Sequence, residues 1–266
     1  MTKHPERILL PLDLGVGSLR ALAPAIHLAG RLGVGLDVVT WSFSSEDAER
    51  TRPRIEAALA DVGYPLPVQS LITTDDRPGV ALAAEAARRG AMVTMASHAR
   101  RGIGHAVLGS TAEDVVATAE RPVVLVGPHV QGWEPTGQLI AAVDGSATAE
   151  RIVRPAAALA AAMRMPLQLV EVIEAGVTVP SDVVDGSYVV RLSSAFAEGP
   201  VGFEILHGDP AHAIVRHATA ADLLALTTRH PTGLSRAVLG SVAMRVVHAA
   251  RCPVVVGTAR STEEET

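Results

Sequence analysis

The sequence predicts an α/β protein made of two doubly wound parallel-sheet domains. Two observations carry that prediction. Short apolar runs of strand length alternate with longer stretches at helical spacing, the pattern of parallel strands covered by helices on both faces. The chain also repeats itself. "AVLGSTAEDVVATAERPVVLVG" from Ala106 and "AVLGSVAMRVVHAARCPVVVGT" from Ala237 share Ala-Val-Leu-Gly-Ser, Val-Val and Pro-Val-Val in register, at an offset of 131 residues. Asp13 and Asp144 keep that offset, as do Gly102 and Gly233. Such a period is too long for a solenoid and has the size of a whole small domain. The predicted division is residues 1–130, a linker at 131–137, and residues 138–266.

In the first half, "RILLPLD" reads as a strand. Residues 18–33 read as a helix stopped at Gly33, and "GLDVVTWS" as a second strand. The polar-faced stretch 44–63 reads as a helix that Pro53 should kink or shorten. "LPVQSLIT" is a third strand, residues 77–90 a helix ending at Gly90, "AMVTMAS" a fourth strand, "STAEDVVATAE" a helix and "RPVVLVG" a fifth strand. The second half follows suit: strand "QLIAAVD", a helix over 147–163, strands "PLQLVEVI" and "VGFEILH", helix "DPAHAIVRHATA", strand "ADLLALTT", helix "SVAMRVVHAA" and strand "CPVVVGT". Residues 175–200 are poorly periodic and yield no element. "VVDGSYVV" within them reads as an irregular crossover rather than a hairpin.

Bulk properties bound the function. The net charge of −5 argues against general nucleic-acid binding, which needs a basic face. The lone Cys252 permits no internal disulfide and fits a reducing cytoplasm, and ahead of "PVVV" it reads as a small buried hydrophobe. "MTKHPERILLPLD" lacks the apolar core of a secretion signal, and no run approaches the roughly 20 residues that span a bilayer. The expected setting is therefore cytoplasmic, without membrane or nucleic-acid partners.

Chemistry concentrates at two repeated places. Gly109-Ser110 and Gly240-Ser241 each precede a predicted helix, whose free N–H donors and dipole suit a phosphate. Ser110 with Glu113 three residues on also fits a capping box, a purely structural role. Basic loops precede both serines: His98, Arg100, Arg101 and His105 in one half, Arg229, His230 and Arg236 in the other. They suit a polyphosphate or simply a solvated surface. Asp13 and Asp144 sit at strand ends, where they would meet a ribose or base or merely turn the chain. "GVGSLR" lacks the third glycine of a dinucleotide fingerprint, because Arg20 stands there. His207, His212 and His217 recur every five residues and so do not converge on a metal. His27 and His248 read as packed or surface histidines. No activated nucleophile, metal cluster or paired carboxylate points to an enzyme.

These residues carry a resemblance. Both halves resemble universal stress protein domains across nearly the whole chain, through "ILLPLD" and "IAAVDGS", "HGDPAHAI", and the twice-occurring tail "LGS…PVV". The resemblance implies an adenine nucleotide alpha hydrolase-like fold, a five-stranded parallel sheet of order 3-2-1-4-5 in each repeat. It implies dimerisation through the last strand, here formed within one chain, with further homodimerisation and unidentified protein partners. Some members of the family bind ATP through G-x-x-G-x9-G-[ST] and others do not, so ATP or AMP, with Mg, is the ligand that the resemblance offers.

The chain departs from that motif. The first half reads Ala96-x-x-Ala99-x9-Gly109-Ser110-Thr111, and the second Thr227-x-x-His230-x9-Gly240-Ser241-Val242. The closing pair persists while both early glycines are replaced. An alanine costs one methyl and roughly 1 kcal/mol where φ is positive. Thr227 and His230 intrude more. Trp41 stands where the family places a small apolar residue near adenine, and either stacks on a base or fills the pocket; Val172 holds that place in the second half. The expected function is a non-enzymatic stress-response binding module with degenerate nucleotide sites. The alternative is an ATP- or AMP-responsive switch using the first half.

Overall fold

The structure is a computed structural model that describes residues 4–13, 15, 17–72, 77–97, 108–174, 187–196, 201–227 and 239–257. The first half contributes β1 (Arg7–Pro11), a 3-10 turn (Ser18–Ala21), α1 (Leu22–Leu32), β2 (Gly35–Ser42), α2 (Ser45–Asp61), β3 (Val68–Ile72), α3 (Pro78–Arg88), β4 (Ala91–Ala96), α4 (Ser110–Thr118) and β5 (Val123–Val126). The second contributes β6 (Leu139–Val143), α5 (Ala147–Glu150), α6 (Val153–Met163), β7 (Leu167–Ile173), α7 (Ser187–Phe196), β8 (Val201–His207), α8 (Pro210–His217), β9 (Leu223–Thr227), α9 (Ser241–Ala249) and β10 (Val254–Gly257).

Each half has the local strand order 3-2-1-4-5, but the two sheets are one. The order is β3-β2-β1-β4-β5-β10-β9-β6-β7-β8. Strands are parallel within each half, and β5 meets β10 antiparallel, pairing Leu125 with Val254 and Val123 with Val256. The last-strand pairing within one chain that the resemblance implies thus joins the two five-stranded sheets into one. The reason lies in the repeated tail: "PVVLVG" and "PVVVG" are apolar on both faces and would each be an exposed edge alone. Pairing the tails buries every residue of β5 and β10. The remaining edges, β3 and β8, carry polar residues such as Gln69, Glu204 and His207.

Two helices predicted as continuous are broken, and at equivalent places. Residues 18–33 divide into the 3-10 turn and α1, and residues 147–163 into α5 and α6. Pro24 and Pro155, 131 residues apart, are the cause. Each lacks the N–H that would bond the carbonyl four residues back, at Arg20 or Arg151. Pro53 behaves otherwise: α2 runs unbroken over 17 residues with Pro53 inside it, so it does not shorten the helix. Pro53 lies on an exposed face, where water can serve the Glu49 carbonyl that loses its donor. The expected irregular crossover is also corrected. From Ser187 the chain is helical, and α7 buries Tyr188 and Leu192, one turn apart, while Val190 faces out.

The halves are joined by more than the central strand pair. Gly127, just past β5, lies so close to α9 that an added Cβ would sit 2.1 Å from the Val247 carbonyl oxygen. Only glycine permits that approach. The linker is equally fixed. Trp133 is fully buried and its indole N–H donates to the Asp222 carbonyl at 2.7 Å, while His27 of α1 stands edge-on to its ring at 6.5 Å. Arg31 of α1 donates to the Pro135 carbonyl at 2.8 Å. The buried Asp222 carboxylate accepts from the Gln138 amide at 2.8 Å and from the Thr219 amide and hydroxyl at 2.6 and 2.8 Å.

Candidate functional site

Parallel strands place all their C-terminal ends on one edge of a sheet, and that edge is where α/β proteins bind ligands. Because β5 and β10 are antiparallel, the two halves present this edge in opposite directions. The candidate sites therefore lie at opposite ends of the ten-stranded sheet.

In the first half, Asp13 follows β1. Its side chain accepts from the Gly15 amide at 2.8 Å, and its carbonyl accepts from the buried Ser18 hydroxyl at 2.9 Å. That is an Asx turn, and it links the strand to the 3-10 turn. Trp41 lies near the end of β2, half-buried and packed on the core, with Leu71 of β3 beside it in register. Ala96 closes β4, buried and paired with Val126. Ser97 follows and is buried. Its amide donates to the Val126 carbonyl at 3.0 Å, and its own carbonyl accepts from the Gly109 amide at 3.3 Å. Ser97 thereby joins the end of β4 to the start of α4, a role that no sequence signal announced. His98 and Ala99 lie outside the described residues.

The start of α4 corrects the capping-box expectation. Gly109, not Ser110, is the N-cap, and no side chain caps the helix. The first intrahelical bond runs from the Glu113 amide to the Gly109 carbonyl at 2.9 Å. Ser110 is thus the first helical residue and is exposed, and Thr111 beside it is half-buried. The amides of residues 110–112 have no capping partner among the described residues. The second half repeats this. Gly240 is the N-cap of α9 without a side-chain cap, Met244 donates to the Gly240 carbonyl at 2.9 Å, and Ser241 is exposed. Elsewhere Ser44, Ser146 and Asp209 do cap α2, α5 and α8.

The rest of the second edge differs from the first. Asp144 is exposed, and its carboxylate accepts from the Ser146 amide and hydroxyl at 3.1 and 2.5 Å, so it builds the turn into α5. Val172 packs partly buried on the core in β7, and Val242 does so in α9. Thr227 ends β9, half-buried and paired with Gly257. His230 lies outside the described residues. Nearby, the Tyr188 phenol is buried against the Glu150 and Glu171 carboxyls, and burial first, then those charges, push its pKa well above the ordinary value. The first half has Leu19 and Thr40 where these two glutamates stand.

The helix after the third strand also begins differently in the two halves. Arg77 ahead of α3 pairs with Asp114 of α4 at 2.5 Å. Asp209 ahead of α8 pairs with Arg245 of α9 at 2.7 and 2.8 Å. The hydrogen bonds from Arg245, then the His212 amide, hold the Asp209 carboxyl below its ordinary pKa. Cys252 is buried as expected, and burial pushes its thiol up to about 12, so it is not a nucleophile at neutral pH. Among the described residues, no group of three or more His, Cys, Asp or Glu could hold a metal ion, and no helix is long and apolar enough to cross a membrane.

Comparison with known proteins agrees with this architecture. The family model described as the universal stress protein family matches twice, at residues 5–127 and 136–257. A universal stress protein of Methanocaldococcus jannaschii is 51% identical over 55 residues, which cover 20% of this chain and 32% of that one. A universal stress protein of Mycobacterium tuberculosis strain H37Rv is 25% identical over 240 residues, covering 82% of this chain and 79% of the relative. The crystal structure of a universal stress protein from Archaeoglobus fulgidus superposes with a TM-score of 0.66 at 21% identity, covering 97% of this chain and 100% of that one. The chain belongs to the universal stress protein family, and it carries two of the family's domains in tandem.

Proposed function

We propose that the chain is a non-enzymatic stress-response binding module whose two nucleotide sites are degenerate. It works through contacts with partners rather than through turnover, in the cytoplasm, and adenine nucleotides bind it weakly. The observation that carries this reading is the mismatch between the two ends of each site. The phosphate end is intact in form: α4 and α9 start at glycine with open amides and an adjacent serine. A phosphate would rest on these amides and the Ser110 or Ser241 hydroxyl. The opposite end is compromised. Ala96 and Thr227 replace glycine where backbone should approach the ligand, and Trp41 packs into the wall at the end of β2. Open amides without the glycines give an anion-tolerant surface and not a tight nucleotide cradle.

A titration of Mg-ATP by calorimetry tests this. The expected result is affinity weaker than micromolar for the native chain and tighter binding for the Ala96→Gly/Ala99→Gly variant. Micromolar affinity of the native chain would overturn the reading.

A second reading is an ATP- or AMP-responsive switch working through the first half. It is favoured by the Ser97–Gly109 bond, which draws the end of β4 and the start of α4 together, and by the small alanines at positions 96 and 99. In that case binding is tight, and Gly109→Pro or Ser110→Glu abolishes it while the equivalent changes at Gly240 and Ser241 do not.

A further inference from the structure

A histidine pair spans the junction of the two halves. His129 follows β5 in the first half, and His248 lies in the last turn of α9 in the second. Their ring centroids are 6.1 Å apart with the ring planes 78° to one another. His129 is exposed and His248 half-exposed, so both rings reach solvent and can turn about their side-chain bonds. The backbones that carry them are packed against each other. His129 lies two residues past Gly127, which is seated against the Val247 carbonyl, and Val247 is the neighbour of His248. The antiparallel β5–β10 pair holds the same junction from the other side.

We propose that His129 and His248 form a two-imidazole site for one borderline divalent transition metal, Cu(II), Ni(II) or Zn(II), bridging the two halves. Two imidazoles sharing a metal at about 2.0–2.1 Å per bond place their ring centroids roughly 5 Å apart at a tetrahedral angle and roughly 6.5 Å apart when trans; the observed 6.1 Å lies between, and the rings turn from their edge-on contact to aim a nitrogen of each at the metal. Neutral imidazole is the ligand that such ions prefer over Mg or Ca, and water completes the coordination shell. At the 131-residue offset the equivalent positions hold Ala117 and Arg260, so the repeat does not duplicate the pair and the site has a stoichiometry of one. Because one ligand comes from each half, the metal stabilises the junction itself. The inference is independent of nucleotide binding.

The test uses full-length, tag-free protein and the metals alone. Cu(II), Ni(II) and Zn(II) are titrated by calorimetry against the native chain, His129→Ala and His248→Ala, with the thermal midpoint followed in parallel. The expected result is one tight equivalent, Cu(II) ahead of Ni(II) and Zn(II), and a metal-dependent rise in Tm that both variants lack. Loss of an outer partner already costs roughly 10–100-fold in metal affinity, so loss of one of two direct ligands should cost at least about tenfold. The Cu(II) complex should show two coordinated nitrogens by electron paramagnetic resonance. A first equivalent that either variant leaves intact would place the metal on other histidines of the chain and overturn the proposal. So would absence of binding.

Discussion

Arg245 holds both carboxylate oxygens of Asp209, at 2.7 and 2.8 Å, and its repeat counterpart in the first half is Asp114, which faces Arg77. The same helix-to-helix ion pair is therefore present in both halves with its charges reversed. Such a pair requires opposite charges and is indifferent to which helix carries which. The reversal marks the pair as a structural tie between the last two helices of each half. It also leaves Asp209 free to cap α8, a role Arg77 cannot take at α3.

Substituting one member of the first pair should lower stability slightly, and swapping both should restore it. Arg77→Asp or Asp114→Arg alone is expected to lower Tm by roughly 1–3 °C, since exposed pairs contribute little. The double variant should return at least to the native value, because aspartate at position 77 can also cap α3. Thermal melts of the four proteins form a double-mutant cycle. Additive losses would show that the pair contributes nothing.

The base of the first sheet should be sensitive to acid. The buried Asp37 carboxylate meets Arg7 at 2.6 and 2.7 Å and Arg89 at 3.0 Å, and the bonds from Arg7 hold its pKa below the ordinary range. Glu85, bonded to Arg88 and Arg89, is pulled down to about 2, with the Arg88 hydrogen bonds the largest cause. A carboxylate whose folded pKa is depressed stabilises the fold above its unfolded pKa. That contribution is lost as pH falls through the folded value. Stability should therefore decline from about pH 4–5 downward. Asp37→Asn should flatten the decline and cost about 2–3 kcal/mol at neutral pH, less than the loss of a fully buried partner because Arg7 is half in water. Urea melts at several pH values would show both effects.

The junction of the halves should tolerate no side chain at Gly127. A Cβ there meets backbone, not a movable side chain, so β5 or α9 must shift. Gly127→Ala is expected to cost about 1–3 kcal/mol, the range for overpacking. It should also reduce Cu(II) affinity at His129 and His248 if their spacing changes. Native-like stability in the alanine variant would contradict the close approach.

The linker should behave as part of the core. Trp133→Ala removes a fully buried aromatic and a hydrogen bond, and should cost roughly 3–5 kcal/mol. Trp133→Phe keeps most of the packing and should cost about 1 kcal/mol. Limited proteolysis should cut the alanine variant near residues 131–137 and leave the native linker intact. Rapid cleavage of the native chain there would show that the linker is a tether.

Much of this architecture is legible from residues. The offset of 131 places Asp13 with Asp144 and both Gly-Ser pairs before the sheet is drawn, and the alternation of apolar runs locates each strand among the described residues. What escapes is set by contacts rather than by local pattern. The helix breaks follow from Pro24 and Pro155, which an apolar periodicity overlooks because their rings themselves fit its spacing. Helix α7 escapes because β-branched Val189 and Val190 follow Tyr188 directly and suit a strand as well as a helix, just after the turn-forming Asp185-Gly186. At the site, Ser110 followed by Glu113 mimics a capping box, yet the chain enters α4 one residue earlier, at Gly109. Ser97 ties the strand to the helix through its backbone, and the identity of a residue says little about where its carbonyl points.

The most direct test of degenerate sites is the nucleotide content of the native protein. The chain is purified without added nucleotide, denatured, and its released small molecules are resolved by chromatography and mass spectrometry. A thermal shift with Mg-ATP completes the measurement. The account predicts no stoichiometric ATP or AMP and a shift only at millimolar nucleotide. Stoichiometric adenine nucleotide, or saturation at micromolar Mg-ATP, would contradict it and make the alanine loop a working phosphate cradle.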